Sequence, residues 1–442
     1  MKILVVHQYY LLEGMAGGSR FNELARLWSD AGHEVTVICG TLDYTTGKVP
    51  ARYRGKWLTR ETDGAVDVWR CHVPETYAKS YAGRMWAFGG FTASALTAAL
   101  RVKKPDIVIA TSPPLIAAIP GWAASWVHGR VPWIFEIRDL WPESAITTGV
   151  LSRDGALTKV LFAIERLACR DASMVNVLTP AFREDLIARG LAPAEKILFV
   201  PNGADVSRFK PGPRDNAARR SLGWGDKFVA MYAGAHGRAN AVGQLVDAAD
   251  ALRDRPDILI ASVGDGPERA KHEEEARRRG LTNIVFAGAK PKDDMPDIVN
   301  ACDVGMAVLQ RNPTFHTVYP NKVFDYMACE RATLLAIDGV ARRLVCDEAR
   351  AGVFAEPEDG RAIAAALRQM ADDPEGRAEM GKRGRTWVLA NATREGLAKR
   401  YLEAMEKVVG SERSPSAASG RSPRASVNRA PIEATNGQGK TA

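Results

Sequence analysis

Ile197-Leu198-Phe199-Val200-Pro201-Asn202-Gly203-Ala204-Asp205 closes one run of regular structure, and Phe228-Val229-Ala230-Met231-Tyr232-Ala233-Gly234-Ala235-His236-Gly237-Arg238-Ala239-Asn240 opens another. Each begins with an uninterrupted apolar run and breaks at Gly, Pro or Asn, as a buried strand does where it meets a turn. The polar stretch from Ser207 to Asp226 between them holds no such run. On the N-terminal side of this break, strands are expected near Ile3–Val6, Val35–Cys39, Val66–Arg70, Ile107–Ala110, Trp133–Ile137, Met174–Leu178 and Ile197–Val200. On the C-terminal side they are expected near Phe228–Tyr232, Ile258–Val263, Ile284–Ala287, Val304–Val308 and Thr333–Ile337. Between them lie stretches of helical spacing, such as Phe21, Leu24, Ala25 and Trp28. Strand–helix alternation predicts parallel sheets covered on both faces, hence an α/β chain of two doubly wound units in tandem.

The expected boundaries are a first domain over residues 1–204, a second over 205–385, a returning helix over 386–410 and a tail over 411–442. From Gly360 to Gly410 only helical patterns occur, the last through Ala398, Tyr401, Leu402, Met405 and Val408, and this helix is expected to pack on the first domain. The tail is dominated by Ser, Pro, Arg, Gly and Asn, with too little apolar surface to offset the entropy of ordering, and is expected to be disordered.

Composition narrows the classes further. The chain has 442 residues, 46% apolar and 25% charged, which excludes fibrous, disulfide-scaffold and wholly disordered proteins. Its six cysteines form no CxxC pair and no metal-ligand spacing, so reduced thiols in a cytoplasmic protein are expected. Met1-Lys2-Ile3-Leu4-Val5-Val6-His7 is too short for a signal peptide, and Met85–Leu100 and Leu115–Val127 fall short of the roughly 20 apolar residues of a spanning helix. The net charge is +8, of which the segment from Ser411 contributes +3. The modestly basic remainder suits an anionic substrate or an acidic lipid surface better than nucleic acid.

In parallel α/β sheets ligands collect at the carboxyl ends of strands, so the loops after strands carry the chemistry. After the first strand come His7, Glu13 and Gly17-Gly18-Ser19-Arg20, a glycine-bearing helix entrance that is neither GxGxxG nor a P-loop. Glu136-Ile137-Arg138-Asp139-Leu140-Trp141-Pro142-Glu143-Ser144 ends another strand in charge. Arg138 can meet phosphate and Asp139 or Glu143 a sugar hydroxyl, or Arg138 can form an internal salt link with one of the two acids. In the second domain Gly234, Gly237 and Arg238 make the stronger phosphate cradle, while Gly264-Asp265-Gly266-Pro267 is either a second cradle or a turn closed by the Asp side chain. Finally Tyr319-Pro320-Asn321-Lys322-Val323-Phe324-Asp325 starts a helix with Lys322 near its positive end. There Lys322 can meet a diphosphate and Asp325 the hydroxyls of a ribose, the alternative being a surface Lys–Asp pair. Of the histidines, His7 and His316 are candidates for ligand contacts.

Taken together, these loops resemble the family 4 (group 1) glycosyltransferases over roughly residues 1 to 408. The resemblance rests on Gly17-Gly18-Ser19-Arg20, Pro201-Asn202-Gly203-Ala204-Asp205 with Phe209, Tyr232-Ala233-Gly234, Gly264-Asp265-Gly266-Pro267 and Lys322-Val323-Phe324-Asp325-Tyr326-Met327-Ala328. Arg138-Asp139-Leu140-Trp141-Pro142-Glu143 and Pro320-Asn321-Lys322 look most like the fucosyl- and fucosaminyltransferase-like branch that builds O-antigen and colanic acid. The resemblance implies the GT-B fold, two facing Rossmann-like domains with a cleft between them. It also implies retaining transfer from a UDP- or GDP-sugar held by the second domain to an acceptor held by the first. That acceptor is expected to be a polyprenyl-diphosphate-linked saccharide. In the family's E-x7-E pattern the second acid maps to Asp325, whereas Thr317 occupies the place of the first, and Arg138-Asp139 stands where many members carry His-Asp.

On this reading Arg138, Asp139, Arg238 and Lys322 serve catalysis, and Gly17, Gly18, Gly234, Gly237, Gly264, Gly266, Tyr319, Asn321 and Asp325 bind the donor. His7, Glu13, Arg20 and Glu143 bind the acceptor. No metal or other cofactor is expected, since no Asp-x-Asp follows a strand. Tyr77, Lys79, Tyr81, Arg84, Met85, Trp86, Phe88 and Phe91, with Arg101, Lys103 and Lys104, read either as an interfacial segment on an anionic membrane or as a buried helix with a basic end. The first places the protein on the inner face of the cytoplasmic membrane. Rival functions are a GT-B sugar-nucleotide epimerase, which needs no acceptor, and a non-catalytic nucleotide-sugar-binding partner subunit.

Overall fold

Fourteen strands among the described residues fall into two sheets, and the break after residue 205 separates them. In this computed structural model residues 1–12, 20–43, 46–77, 80–147 and 149–413 are described, so Glu13, Gly17, Gly18, Lys79 and the tail from 414 onward lie outside the described residues. The first sheet contains β1 (Lys2–Val6), β2 (Glu34–Gly40), β3 (Leu58–Asp63), β4 (Val66–Cys71), β5 (Ile107–Ser112), β6 (Trp133–Ile137), β7 (Met174–Val177) and β8 (Ile197–Phe199), in spatial order β3-β4-β2-β1-β5-β6-β7-β8. The second contains β9 (Phe228–Ala233), β10 (Ile258–Val263), β11 (Ile284–Gly288), β12 (Val304–Val308), β13 (Ala332–Ala336) and β14 (Gly352–Phe354), in order β11-β10-β9-β12-β13-β14. All pairings are parallel except β3 with β4, an antiparallel edge whose alternating polar side chains hid it from the sequence reading. Both sheets reverse strand order beside their first strand, which opens a crevice at the carboxyl end of each.

The first domain carries helices α1 (Arg20–Asp30), α2 (Tyr81–Ala99), α3 (Ala118–Val127), α4 (Glu143–Thr147), α5 (Ala156–Asp171) and α6 (Pro180–Ala188). The second carries α7 (Ala217–Ser221), α8 (Gly243–Ala251), α9 (Arg269–Arg278), α10 (Met295–Ala301), α11 (Asn321–Ala328), α12 (Val340–Arg342), α13 (Gly360–Asp372) and α14 (Pro374–Asn391), and α15 (Arg394–Arg413) follows. The strands are largely apolar on both faces, as sheets covered on both sides require: β5, β6, β10, β12 and β13 are buried at every position.

α14 continues past the expected boundary at 385 because Trp387 and Val388 pack into the second core, and the chain leaves that domain only at Ala392 and Thr393. α15 then lies on α1. Leu397, Ala398, Tyr401, Met405 and Val408 join the core made by β1, β2 and α1, and the Trp28 indole donates to the Ala398 carbonyl at 3.1 Å with its ring 5.4 Å from that of Tyr401. The chain therefore passes between the domains twice, and the two crossings are bonded to each other. Ala204 N donates to Ala392 O at 3.0 Å, and Arg394 N donates to Ala204 O at 2.9 Å.

Candidate active site

Beyond the crossings, Val318 packs against the first-domain core. Polar contacts among the described residues also tie the domains across the cleft. Thr179, the N-cap of α6, accepts from Phe182 N and donates its hydroxyl to the Thr317 carbonyl at 2.7 Å. Glu23 of α1 meets Lys292 of the second domain at 3.2 Å and Arg394 at the start of α15 at 2.8 Å. The Thr179 contact sets the carboxyl ends of the two sheets facing each other, so the loops after the strands line one cleft.

On the second-domain side the Lys322 ammonium lies 3.7 Å from the centroid of the Tyr232 ring and against Gly234, where a Cβ would come within 2.7 Å of Nζ. Gly234 is thus required both by its backbone (φ 153°) and by the lysine that occupies the space. Lys322 is half-buried and forms no ion pair among the described residues, so the Lys–Asp pair with Asp325 is not formed. Burial pushes this ammonium down to about 7. Asp325, one turn along α11, is also half-buried, and burial pushes its carboxyl up to about 7, against the pull of Arg394 and Lys292. An ammonium and a carboxylate held on one helix face at the cost of solvation, neither in an ion pair among the described residues, form a site that an anion and hydroxyl donors can complete. Tyr326 anchors the helix from behind, its hydroxyl accepting from Ala233 N at 3.1 Å and donating to Met306 O at 3.2 Å.

The glycine loops have a different division of labour from that expected. Gly264 and Gly266 do not face open space: a Cβ on Gly264 would overlap the Gly234 carbonyl, and one on Gly266 would meet the His236 backbone. They let the loops after β9 and β10 interlock, and Asp265 closes its own turn by accepting from Gly266 N at 2.8 Å, so their assignment to donor contact is corrected to a supporting one. His236, which the sequence reading passed over, is buried beneath this joint with Nε2 2.7 Å from Ser262 Oγ. Gly237 opens a short 3-10 turn in which Asn240 accepts from its N–H, and Arg238 is exposed at the rim. Tyr319 is half-buried against Phe324, while Asn321 is exposed at the first turn of α11.

On the first-domain side, Arg138 follows β6 and its Nη1 lies 3.4 Å from His7 Nε2, while His7 Nδ1 lies 2.8 Å from Thr111 Oγ1. Burial, with Arg138 and Arg20 nearby, holds the His7 imidazole well below its ordinary value, so it is neutral and accepts from Arg138. His7 is buried, and the expected acceptor contact is corrected: it positions Arg138. Arg138 therefore pairs with neither Asp139 nor Glu143. Asp139 accepts from Ser144 Oγ at 2.8 Å, with burial raising its carboxyl, and Glu143 is engaged by Arg153 at the rim.

Arg20 is corrected outright. It is buried in a two-bond pair with Glu136 at 3.0 and 3.2 Å and donates to the carbonyls of Val200 and Pro201 at 2.8 and 2.6 Å, so it braces α1, β6 and the linker. Tyr9, whose phenol burial and the neighbouring Tyr77 raise, stands with Arg84 and Arg138 on this wall of the cleft, a cluster with no local sequence signal.

A cavity of about 400 Å³ opens between Ala181 of α6 and the second domain, lined by His316, Asp338, Gly339, Arg342, Arg343 and Asp347. Asp338 and Gly339 follow β13 and were missed, although a glycine directly after a strand is the signal used for the other loops. Gly339 (φ 81°) packs so closely on the His316 backbone that no Cβ fits. Thr317 turns its hydroxyl to the Thr314 carbonyl at 2.8 Å, so the position of the missing acid is occupied by an internally bonded side chain.

Two family models span this architecture. The glycosyl transferase 4-like domain matches residues 16–203 and the glycosyl transferases group 1 model matches 214–387. The chain belongs to the group 1 glycosyltransferases. As a member of that family it is a glycosyltransferase with the GT-B fold. It is 28% identical over 378 residues to WcaI of Escherichia coli K12, a protein named as a colanic acid biosynthesis glycosyl transferase, covering 84% of this chain and 92% of that one. It is also 28% identical over 263 residues to 2-deoxystreptamine glucosyltransferase of Streptomyces kanamyceticus, covering 57% and 65% of the two chains. Among solved structures, sucrose-phosphate synthase from Thermosynechococcus elongatus superposes with a TM-score of 0.70 at 18% identity over 93% of this chain and 99% of that one. Anabaena HepE, crystallised with UDP and glucose, superposes with a TM-score of 0.67 at 19% identity over 92% and 99%. These structural likenesses concern the fold.

Proposed function

We propose that this glycosyltransferase moves a sugar, with retention, from a UDP- or GDP-sugar to a lipid-linked saccharide in the assembly of a bacterial surface polysaccharide. The carrying observation is the half-buried, unpaired Lys322 ammonium against Gly234 with Asp325 one turn away, a pair matched to a diphosphate and the ribose beside it. β13 lies two strands from β9, roughly 10 Å at ordinary strand spacing, which supports the cavity at Asp338 and Gly339 as the seat of the sugar in this reading. The polysaccharide setting is supported by the name of WcaI, and the nucleotide class by the UDP held in the HepE structure.

In this reading the bond between the anomeric carbon and the phosphate oxygen breaks on the same face as the acceptor oxygen attacks, and the acceptor proton passes to the departing phosphate. The chain supplies charge where it develops, from Lys322 and Arg138, with Arg238 at the rim, and the cleft supplies position. Basic side chains and loop N–H groups then take the part of a divalent cation, and activity should persist in EDTA. The testing experiment is thermal shift with UDP, GDP, ADP and their sugars without metal. One nucleoside diphosphate is expected to stabilise the wild type, and Lys322→Ala to abolish that shift. An unchanged affinity in Lys322→Ala would remove the diphosphate from this site, and conversion of a nucleotide sugar without acceptor would favour an epimerase.

A further inference from the structure

Helix α5 has three sectors where an ordinary surface helix has two. At about 100° per residue, Leu161, Glu165, Ala168 and Cys169 occupy the buried sector. Lys159, Arg166 and Arg170 form a narrow basic edge. The remaining sector carries exposed Ala156, Leu157, Val160, Ala163 and Leu167, with Val160 55% exposed and the leucines above 40%, together with Asp171 at its last turn, while Ile164 within it is half-buried against the core. The patch does not end with the helix: the Asp171 carboxylate accepts from Trp122 Nε1 of α3 at 2.5 Å, Trp122 packs edge-on against Trp126 at 6.4 Å, and the exposed Trp126 carries Arg130 on its ring at 4.0 Å. Among the acids of this region Glu143 meets Arg153, Glu165 meets Arg189 and Asp171 meets the indoles of Trp122 and Trp133, while Asp154 is exposed just before the helix. Lys159, Arg166 and Arg170 form no ion pair among the described residues.

We infer that the outer face of α5, continued by Trp126 and Arg130, is the surface by which this protein docks on an anionic lipid bilayer. An apolar stripe edged by free cations and tryptophan matches an interface of acyl chains under negative headgroups, because the stripe enters the hydrocarbon boundary while the cations stay at headgroup level. A protein partner of the same polarity would need an acidic rim around an apolar groove, whereas a bilayer supplies both over any length, including the roughly 24 Å of this helix. α5 runs antiparallel to the strands, so Leu157 and Val160 sit at the end nearest the cleft mouth. The segment proposed from sequence contributes less apolar surface: Arg84, Arg101, Lys103 and Lys104 are exposed, but Phe88 and Phe91 of α2 are core, Tyr77 and Met85 are half-buried, and Trp86 is the one exposed large apolar residue of that set among those with described burial.

The biological use of this surface rests on the transferase reading, but the surface is tested without it. The full chain is sedimented with vesicles of phosphatidylcholine alone and with about one-third phosphatidylglycerol, alongside Leu157→Glu/Val160→Glu/Leu167→Glu, Lys159→Gln/Arg166→Gln/Arg170→Gln and Trp86→Ser. Wild type should sediment with the anionic vesicles only, and each α5 variant should bind at least about tenfold more weakly while keeping its circular dichroism and its nucleotide thermal shift. The inference is overturned if wild type stays in the supernatant, if the α5 variants bind as wild type, or if Trp86→Ser alone abolishes binding. It is equally overturned if wild type is a dimer that the apolar variant turns into a monomer. Vesicle binding without any nucleotide response would instead leave the surface standing and remove the transferase reading.

Discussion

Lys322 and Asp325 approach neutrality from opposite sides, and this sets a pH signature for donor binding. The ammonium exists below about 7 and the carboxylate above about 7, and a diphosphate needs the first while ribose hydroxyls need the second. Nucleotide affinity measured by calorimetry should therefore peak near neutrality and fall on both sides. Lys322→Met should remove the alkaline limb and Asp325→Asn the acid limb. The unliganded fold feels the reverse. Between about 7 and the ordinary lysine value of 10.5 the unfolded chain holds the extra proton, so Lys322 makes stability rise with pH in that window. Between the ordinary 3.8 and about 7 the folded chain holds the Asp325 proton, so stability falls as pH rises there.

Arg20 gives a second residue-scale expectation. Arg20→Met leaves Glu136 buried without its partner and should cost about 3–5 kcal/mol in urea unfolding, most of it recovered when Glu136→Met is added. This pair also shows why part of the site was illegible: Arg20 stands in a loop that reads as ligand-binding, and its partner lies 116 residues away. Local pattern exposes residue type and spacing, as it did for Lys322 and Gly234, but not which distant group claims a side chain first.

At the scale of elements, α15 is part of the first domain although it is last in sequence. Without it Trp28 loses both its hydrogen-bond acceptor and an edge-on ring, and the apolar face of α1 meets water. A fragment of residues 1–204 should therefore fail to give a cooperative thermal transition, while the same fragment supplied with a 394–413 peptide should regain one. Trp28→Ala in the full chain should cost about 3–5 kcal/mol. The interlocked glycine loops yield a parallel test. Gly264→Ala forces a Cβ into the Gly234 carbonyl at φ 140°, and should lower stability by about 2–4 kcal/mol with nucleotide binding lost alongside. Elements of this kind were legible because their apolar periodicity is strong. β3 was not, since at the sheet edge every residue after Leu58 is polar, Thr59-Arg60-Glu61-Thr62-Asp63, and the boundary at 385 slipped because α14 continues to Asn391.

For the whole molecule, the contacts across the cleft combine polar links, Thr179 to Thr317 and Glu23 to Lys292, with Val318 packed against the first-domain core. Thr179→Val/Glu23→Gln should open the cleft, seen as a larger radius of gyration by small-angle scattering that saturating nucleotide sugar reverses. That two domains meet was legible from the repeat of strand and glycine loop, whereas which residues tie them was not, because a threonine hydroxyl reaching a backbone carbonyl leaves no sequence trace. The paired crossings at Ala204 and Ala392 decide what kind of movement remains. A single tether lets one body twist, swivel and slide against the other. Two strips laid flat against each other behave like the knuckles of a door: the leaf swings about one line, and each stroke brings the same parts back into register. A cut through either strip should then leave both leaves hanging together, so protease nicking at one crossing should split the chain on a denaturing gel while the native particle keeps its size.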